Sequence, residues 1–409
     1  MKKFDIPDFY KSSIISLIKE KRRDEDKKNQ NFTPTKLDFG PVEFLIARHF
    51  GFCYGVENAI EIAYKAIEQN PGKRIFLLSE MIHNPHVNND LQKRGIQFIM
   101  DNHGNQYIQW DELKSDDIII IPAFGTTVEI ENLLREKGFD IIQYNTTCPF
   151  VEKVWNRAEV LGKQNYTIII HGKAYHEETK ATFSHTIRNS QSVIIRNINE
   201  AKFLSEIILN VRPKEEFYSY FAGKYSANFD VERDLKRIGV VNQTTMLASE
   251  TQEIADLLRD TMIKKYGEEN LKEHFADTRD TLCYATNNNQ SATIALKNED
   301  ADFAIVIGGY NSSNTSHLAE LLSQKFITYL ISDASKIYSD KVIFHFDLNS
   351  HKEIKTENYI PQKEKVRIAI TSGASSPDSI VDDVIRKLLS FFENTIDINT
   401  VLNNAFGKL

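Results

Sequence analysis

The sequence predicts an α/β protein built from three related units with mainly parallel strands. Strand-like and helix-like segments alternate along most of the 409 residues, which is typical of parallel α/β architecture. The three cysteines also recur in one context, since each stands directly before a helix-like segment. A repeat of this kind indicates an internal triplication, with one thiol per copy and pseudo-threefold packing around a shared centre.

Each cysteine is predicted to lie at a strand-to-helix junction. The helices predicted after Cys53, Cys148 and Cys283 are Tyr54–Gln69, Pro149–Lys163 and Tyr284–Lys297. Such junctions lie at the carboxyl end of a sheet, where open α/β folds bind ligands, and the helix N-terminus favours the thiolate form. A single free cysteine is often only a packing residue, but three at equivalent junctions favour one shared metal centre.

Two further strands follow each cysteine helix, and each strand ends in a polar loop. These strands are predicted at 74–78, 117–121, 166–170, 237–241, 302–307 and 366–370. The domains that follow are an N-terminal extension (1–40), three α/β units (41–147, 148–282 and 283–390) and a C-terminal tail (391–409), with a surface insertion near 212–231 in the second unit.

The polar loops are rich in His, Ser, Thr, Asn and Gly, which favours binding of a small phosphorylated or diphosphorylated compound at helix N-termini. Neither a G-x-x-x-x-G-K-[ST] loop nor a G-x-G-x-x-G motif occurs, so nucleoside triphosphates and directly bound NAD are not indicated. A simpler alternative is helix capping. Residues 311–314 would cap a helix at 315–324, and Ser375 or Ser376 would cap a helix with Pro377 in its first turn.

The composition indicates which binding partners and which cellular compartment to expect. A net charge of -7 argues against nucleic acid as a main partner. No run of 18 apolar residues and no secretory signal occurs in the sequence, so we expect no membrane association. The odd cysteine count indicates a reducing compartment, and we expect a cytoplasmic protein.

Residue chemistry alone leaves two metals open. Three thiolates with one open position are compatible with catalytic zinc, completed by histidines from the set His83, His86, His171 and His176. They are equally compatible with a 4Fe–4S cluster that has three cysteine ligands. Glu178, two residues after His176, is suited to deliver protons if the site excludes water.

Ordered motifs across residues 43–390 resemble the 4-hydroxy-3-methylbut-2-enyl diphosphate reductase family, in its longer plant and cyanobacterial branch. The motifs are Gly51-Phe52-Cys53-Tyr54-Gly55-Val56, His83-Asn84-Pro85, Thr146-Thr147-Cys148-Pro149, His176-Glu177-Glu178, Asn242-Gln243-Thr244-Thr245, Thr281-Leu282-Cys283-Tyr284-Ala285-Thr286, Asn311-Ser312-Ser313-Asn314 and Gly373-Ala374-Ser375.

The resemblance implies a trefoil of three α/β units around a 4Fe–4S cluster held by Cys53, Cys148 and Cys283. It implies that the substrate diphosphate contacts His83, His176, Ser312, Ser313, Asn314 and Ser375. Glu178 and Thr244 would then deliver protons near the substrate hydroxyl. The implied reaction removes that hydroxyl as water and yields isopentenyl and dimethylallyl diphosphate. No nicotinamide fold is evident, so the implied electron donor is a ferredoxin or a flavodoxin.

One departure from the family pattern concerns Phe124, which stands where many bacterial members have a histidine. A phenyl ring cannot donate to phosphate, so that contact is lost or supplied by a neighbour such as Thr126 or Thr127. Two other functions remain open at this stage. One is a zinc-dependent hydrolase of a phosphorylated metabolite, and the other is a binding or iron-sensing module without catalysis.

Overall fold

The computed structural model describes residues 4–28, 31–276 and 281–406, which form two compact units. Unit 1 contains the chain up to Glu57, the segment His83–His86, and the chain from Tyr284 onwards; unit 2 contains Asn58–Ile82 and Val87–Cys283. The ends of the predicted N-terminal extension and C-terminal tail, and residues Asp277 and Thr278 before Cys283, lie outside the described residues.

The strands are β1 (Thr35–Asp38), β2 (Val42–Ile46), β3 (Ile75–Leu77), β4 (Ile96–Phe98), β5 (Ile118–Ile120), β6 (Thr167–His171), β7 (Ser192–Ile195), β8 (Ile238–Asn242), β9 (Phe275–Ala276), β10 (Phe303–Ile307), β11 (Thr328–Ile331), β12 (Val342–Asp347), β13 (Lys352–Glu357) and β14 (Val366–Ser372). The helices are α1 (Ile15–Lys28), α2 (Tyr54–Gln69), α3 (Pro85–Lys93), α4 (Val128–Glu136), α5 (Pro149–Lys163), α6 (Glu177–Thr186), α7 (Ile198–Ile208), α8 (Glu215–Tyr220), α9 (Val231–Asp234), α10 (Ala248–Tyr266), α11 (Leu271–His274), α12 (Tyr284–Lys297), α13 (Ser313–Ser323), α14 (Asp378–Leu389) and α15 (Ile398–Phe406).

Unit 1 is organised around a seven-stranded sheet in the order β1-β2-β14-β10-β11-β12-β13. Its centre is parallel, because β14 pairs in parallel with both β2 and β10, and β10 pairs in parallel with β11. These central strands are almost wholly apolar and buried, as expected for a sheet covered on both faces. The strand before Cys53, β2, therefore pairs with β14, a strand from the last third of the sequence.

Unit 2 contains two smaller sheets, in the orders β4-β3-β5 and β7-β6-β8-β9. Every strand pair in both sheets is parallel. The structure thus confirms the predicted α/β class with mainly parallel sheets. The division into three units stays a prediction.

The helices predicted after the cysteines are confirmed as α2, α5 and α12, with the predicted bounds. The predicted strands are found within one or two residues of their expected ends. Both signals are local, since an apolar run predicts the strand and the polar loop after it marks the helix start.

The segment near 212–231, predicted to be a surface insertion, is partly buried in the core of unit 2. This segment forms α8, and Phe217, Phe221 and Phe229 are buried in the same core as β7 and β8. Aromatic side chains bury a large apolar area, so they stabilise the segment against the sheet. None of the helices in the described part of the chain is both long and apolar enough to cross a lipid bilayer.

Candidate active site

The predicted site residues fall into two sets, one in each unit. Unit 1 contains Cys53, His83, Ser312, Ser313, Asn314 and Ser375; unit 2 contains Cys148, His176, Glu178, Thr244 and Cys283. In unit 1 the set lies where three parallel strands end, at the carboxyl edge shared by β2, β10 and β14. The sheet topology, which pairs these strands, is what brings distant sequence motifs together.

Hydrogen bonds join the loops at this edge of unit 1. The backbone N–H of Cys53 donates to the carbonyl oxygen of Ala374 at 3.2 Å. The Ser375 hydroxyl donates to the carbonyl oxygen of His83 at 3.2 Å. Gly309 lies so close to His83 that a Cβ there would be 2.3 Å from the same carbonyl oxygen, so only glycine fits. The loops are therefore held in one fixed arrangement.

Asn314 lies at the start of α13, and the two ends of its side-chain amide differ in their hydrogen bonding. Its Oδ1 accepts a hydrogen bond from the Ala374 N–H at 3.0 Å, which fixes the orientation of the amide. Among the residues that the structure describes, its buried Nδ2 has no hydrogen-bond partner. A buried donor without an acceptor is costly, and a phosphate oxygen would satisfy it.

Helix capping explains part of the unit 1 set and not the rest. Ser312 is the N-cap of α13, and its hydroxyl accepts from the Thr315 N–H at 3.3 Å, so the capping alternative holds for this residue. At α14 the alternative is wrong. Pro377 occupies the N-cap position with no side-chain cap, while Ser376 donates to the Ile307 carbonyl at 3.1 Å. Ser375 and Ser376 therefore fix loops rather than cap a helix.

In unit 2, Glu178 and Thr244 form a buried pair. Glu178 is 1% exposed and accepts two hydrogen bonds from Thr244, at 2.5 Å from the backbone N–H and at 3.0 Å from the hydroxyl. The carbonyl oxygen of Thr244 in turn accepts from the Cys283 N–H at 3.5 Å. The acid and the hydroxyl are thus in direct contact, which suits proton transfer, and the backbone of the same threonine is hydrogen-bonded to the backbone of Cys283.

His176 is the N-cap of α6 and carries a defined tautomer. Its Nδ1 accepts a hydrogen bond from the Glu178 N–H at 3.2 Å, so in the neutral ring the proton resides on Nε2. The Phe124 ring meets His176 edge-to-face with the ring centroids 5.5 Å apart. Thr127, a predicted substitute for the missing histidine, instead caps α4. Phe124 therefore contacts a histidine of the candidate site.

All three cysteines are free thiols and stand directly before helices. Burial raises the pKa of the Cys53 thiol, and the backbone N–H groups of Val56 and Gly55 act in the opposite direction. The Cys148 N–H donates to the Ala123 carbonyl at 3.0 Å, which fixes that residue to the loop after β5. Three unoxidised sulfur donors at helix N-termini fit the ligand set of an iron–sulfur cluster.

Two histidines considered as zinc ligands have other partners. The His86 ring lies 3.2 Å from a carboxylate oxygen of Asp333, and the His171 Nδ1 lies 3.0 Å from the Thr251 hydroxyl. Each contact occupies one ring nitrogen, and it fixes the orientation of the imidazole. Sequence reasoning also missed one contact beside Cys283, where the Thr281 hydroxyl donates to Asn242. Because Thr281 and Asn242 both belong to the family motifs, their membership in those motifs could have indicated this contact.

Comparison with known proteins identifies the family. The model of the family described as "LytB protein" matches residues 44–389. The chain is 42% identical over 382 residues to a 4-hydroxy-3-methylbut-2-enyl diphosphate reductase of Prochlorococcus marinus (strain AS9601), covering 93% of this chain and 90% of the relative. It is 41% identical over 387 residues to the reductase of the same name from Trichormus variabilis, covering 94% and 91%.

Solved structures support the same fold. One is (E)-4-hydroxy-3-methyl-but-2-enyl diphosphate reductase, described as the terminal enzyme of the non-mevalonate pathway, with a TM-score of 0.51, 24% identity, and coverage of 85% of this chain and 99% of that chain. Another is the E-1-hydroxy-2-methyl-but-2-enyl-4-diphosphate reductase from Plasmodium falciparum, with a TM-score of 0.60, 22% identity, and coverage of 85% and 88%. The chain belongs to the LytB family.

Proposed function

We propose that this chain reduces (E)-4-hydroxy-3-methylbut-2-enyl diphosphate to isopentenyl and dimethylallyl diphosphate. Two electrons and two protons enter, the allylic C–O bond breaks, and the hydroxyl leaves as water while the second proton is added to carbon. The observation that supports this most directly is the buried Glu178–Thr244 pair beside Cys283, within a member of the LytB family. A buried acid next to a thiol-bearing residue suits a reaction that consumes protons and electrons together.

The cofactor in this proposal is a 4Fe–4S cluster with Cys53, Cys148 and Cys283 as its three ligands. When bound, such a cluster supplies electrons and a Lewis-acidic iron. The chain's contribution is to place three cysteine sulfurs at helix N-termini, where they would ligate the cluster. We expect the electrons to come from a ferredoxin or flavodoxin, and a cytoplasmic location stays a prediction.

Neutral donors bind the diphosphate in this proposal. The residues assigned to it are His83, His176, Ser312, Ser313, Asn314 and Ser375. The Nδ2 of Asn314 and the Nε2–H of His176 both have the correct polarity for phosphate oxygens. Because these groups are already fixed by the protein, little side-chain freedom is lost on binding, which improves affinity.

Glu178 delivers protons, and Thr244 orients it. The two hydrogen bonds from Thr244 occupy both carboxyl oxygens, which hold the group in one rotamer. When Glu178 is protonated, its O–H can donate to the Thr244 hydroxyl oxygen, and that hydroxyl then turns its own proton toward the substrate. The Thr244 hydroxyl, between Glu178 and the substrate in this proposal, relays that proton to the leaving oxygen.

Anaerobic purification followed by metal and sulfide counts tests the proposal. We expect a brown protein with four iron and four sulfide ions per chain, a 4Fe–4S signature in the Mössbauer spectrum, and formation of both products when the substrate and a reduced one-electron carrier are added. A colourless protein containing zinc that hydrolyses phosphorylated metabolites would instead support the zinc hydrolase. Loss of any one cysteine through a Cys→Ser change should lower the iron content.

A further inference from the structure

Helix α1 contacts the loop that leads to Cys53, although α1 lies outside the matched family range of 44–389. Arg22 of this helix is 2% exposed, unusually buried for an arginine. Its Nη1 donates to the carbonyl oxygen of Ala47 at 3.3 Å and to that of Arg48 at 3.1 Å. These two carbonyls follow β2 directly, so a buried cation anchors the first part of the Cys53 loop.

A second cation from α1 contacts the last part of the same loop. Lys19 forms an ion pair with Asp378 at 2.6 Å, and the two side chains are 30% and 17% exposed. The pair packs against Gly51, where a Cβ would lie 2.7 Å from the Asp378 carboxylate and 2.8 Å from the Lys19 ammonium. Gly51 also has a φ of 75°, a conformation that favours glycine. The lysine ammonium lies over the Phe50 ring, 4.8 Å from its centroid.

Aromatic contacts complete this interface between the N-terminal segment and the loop. The Tyr10 ring lies 5.5 Å from that of Phe52, and the Phe4 ring lies 4.8 Å from that of Tyr54. Phe52 and Tyr54 are the two neighbours of Cys53 in the sequence. The buried residues Ile14, Ile15 and Ile18 attach the segment to the core of unit 1. The N-terminal segment therefore contacts the loop at several positions, and it contacts both sequence neighbours of Cys53.

We propose that Arg22 and Lys19 are positioning residues for Cys53, holding its loop in the conformation that presents the thiolate to the cluster. The alternative is that both residues only add stability to unit 1. A purely structural role would affect the whole unit, whereas anchoring of residues 47–53 should affect Cys53 before the other two thiols. This inference rests on the proposed cluster role of Cys53, but the loop itself can be measured without the cluster.

The test is the rate at which each cysteine of the full-length, metal-free protein reacts with iodoacetamide, followed by mass spectrometry of the three cysteine peptides. In Arg22→Met the two hydrogen bonds to the loop are lost, and in Lys19→Met the cation over Phe50 and its ion pair with Asp378 are lost. We therefore expect Cys53 to react about tenfold faster in both variants. Cys148 and Cys283 serve as internal references and should keep their rates. Arg22→Lys keeps one donor, so its Cys53 rate should lie between those of the wild type and Arg22→Met.

A matched control is Lys11→Gln, which removes a cation from the same segment. Lys11 forms an exposed ion pair with Asp8 at 2.7 Å. We expect it to leave all three rates unchanged. An unchanged Cys53 rate in both methionine variants, or an equal rise at all three thiols, would overturn the inference.

A second readout uses the metal-loaded protein. In the two methionine variants a chelator should remove iron several-fold faster than in the wild type, with Lys11→Gln matching the wild type. Equal iron loss in all variants counts against the inference. If purified chains never contain iron, the proposed function fails, while the alkylation rates still decide whether Arg22 and Lys19 position Cys53.

Discussion

Nδ1 of His176 accepts the backbone N–H of Glu178 at 3.2 Å, so one histidine both caps α6 and directs its Nε2–H away from the helix. The cap and the donor are separate functions of the same ring. Substitutions can therefore remove one and keep the other, which allows stability and substrate binding to be measured independently.

For His176→Asn we expect a stable protein that binds substrate weakly. Asparagine is a good N-cap, so urea unfolding of the metal-free protein should change by less than about 0.5 kcal/mol. His176→Ala loses the cap as well and should cost about 1 kcal/mol. Both variants lose the Nε2–H donor, so Kd for the diphosphate substrate, measured by calorimetry, should rise in both by about tenfold. Equal affinity for wild type and His176→Asn would exclude the donor role.

Glu178→Gln should bind substrate nearly as well as the wild type but turn it over about 100-fold or more slowly, because the amide cannot supply a proton. Thr244→Val should show a smaller loss, since it removes the hydroxyl and leaves the backbone N–H bond to Glu178. The measurements are kcat and substrate Kd under anaerobic conditions. Glu159→Gln, on the exposed Glu159–Lys163 pair, is the matched control and should behave as wild type. Near-normal turnover in Glu178→Gln would remove this residue from the proton path.

Asn314→Asp should weaken diphosphate binding without disturbing the loops of unit 1. The carboxylate can still accept the Ala374 N–H, but an oxygen replaces the available Nδ2 donor and adds negative charge beside the phosphates. We expect Kd to rise by at least about tenfold, since a charged hydrogen bond is lost and repulsion is gained. Asn358→Asp, at an exposed turn with positive φ, is the control and should leave Kd unchanged. Tight binding by Asn314→Asp would mean that Asn314 is a structural residue only.

The His86–Asp333 contact predicts a defined pH dependence of stability. The hydrogen bond from His86, with those from Ser335 and Ser332, lowers the pKa of the Asp333 carboxyl below its ordinary value. A carboxyl with a lowered folded-state pKa stabilises the protein above its unfolded-state pKa, and this contribution is lost as the pH falls through the folded-state pKa. Asp333→Asn should therefore unfold more easily than wild type near neutral pH.

The stability gap between wild type and Asp333→Asn should narrow once the pH falls below about 4, where the unfolded carboxyl takes up its proton. Urea unfolding of the metal-free protein as a function of pH measures this. His86→Gln removes one of the three hydrogen-bond partners of Asp333 and should reproduce part of this stability difference. A gap that is constant between neutral and strongly acidic pH would show that Asp333 acts through packing rather than through its charge.

Local signals in the sequence were sufficient for much of the fold. Cys148 followed by Pro149 predicts a helix start because proline suits the first helical turn, and α5 begins there. Long-range pairing was not predictable in this way. Nothing near Val42 indicates that β2 pairs with β14, because strand register depends on which apolar faces meet in the folded core.

In the candidate site, too, the residues could be predicted from local sequence patterns but their contacts with distant residues could not. The motifs identified Glu178, Thr244 and Asn314 as polar residues at strand ends, since such positions have a local pattern. The hydrogen-bond partners in the site could not be predicted from local patterns. The Ala374 N–H that fixes Asn314 and the Arg22 guanidinium that binds the Cys53 loop come from other parts of the sequence. Phe124 also illustrates this limit, since its contact with His176 could not be read from either motif alone.

The order of strands in unit 1 has a consequence for biosynthesis. Strand β2 leaves the ribosome early, but its parallel neighbour β14 ends at Ser372, near the end of the chain. During translation one edge of β2 therefore stays unpaired until β14 is synthesised, whereas all strands of unit 2 have been synthesised before β14. Nascent chains of this protein should accordingly depend on chaperones that shield exposed strands, and unit 1 should be the last part to acquire its native structure.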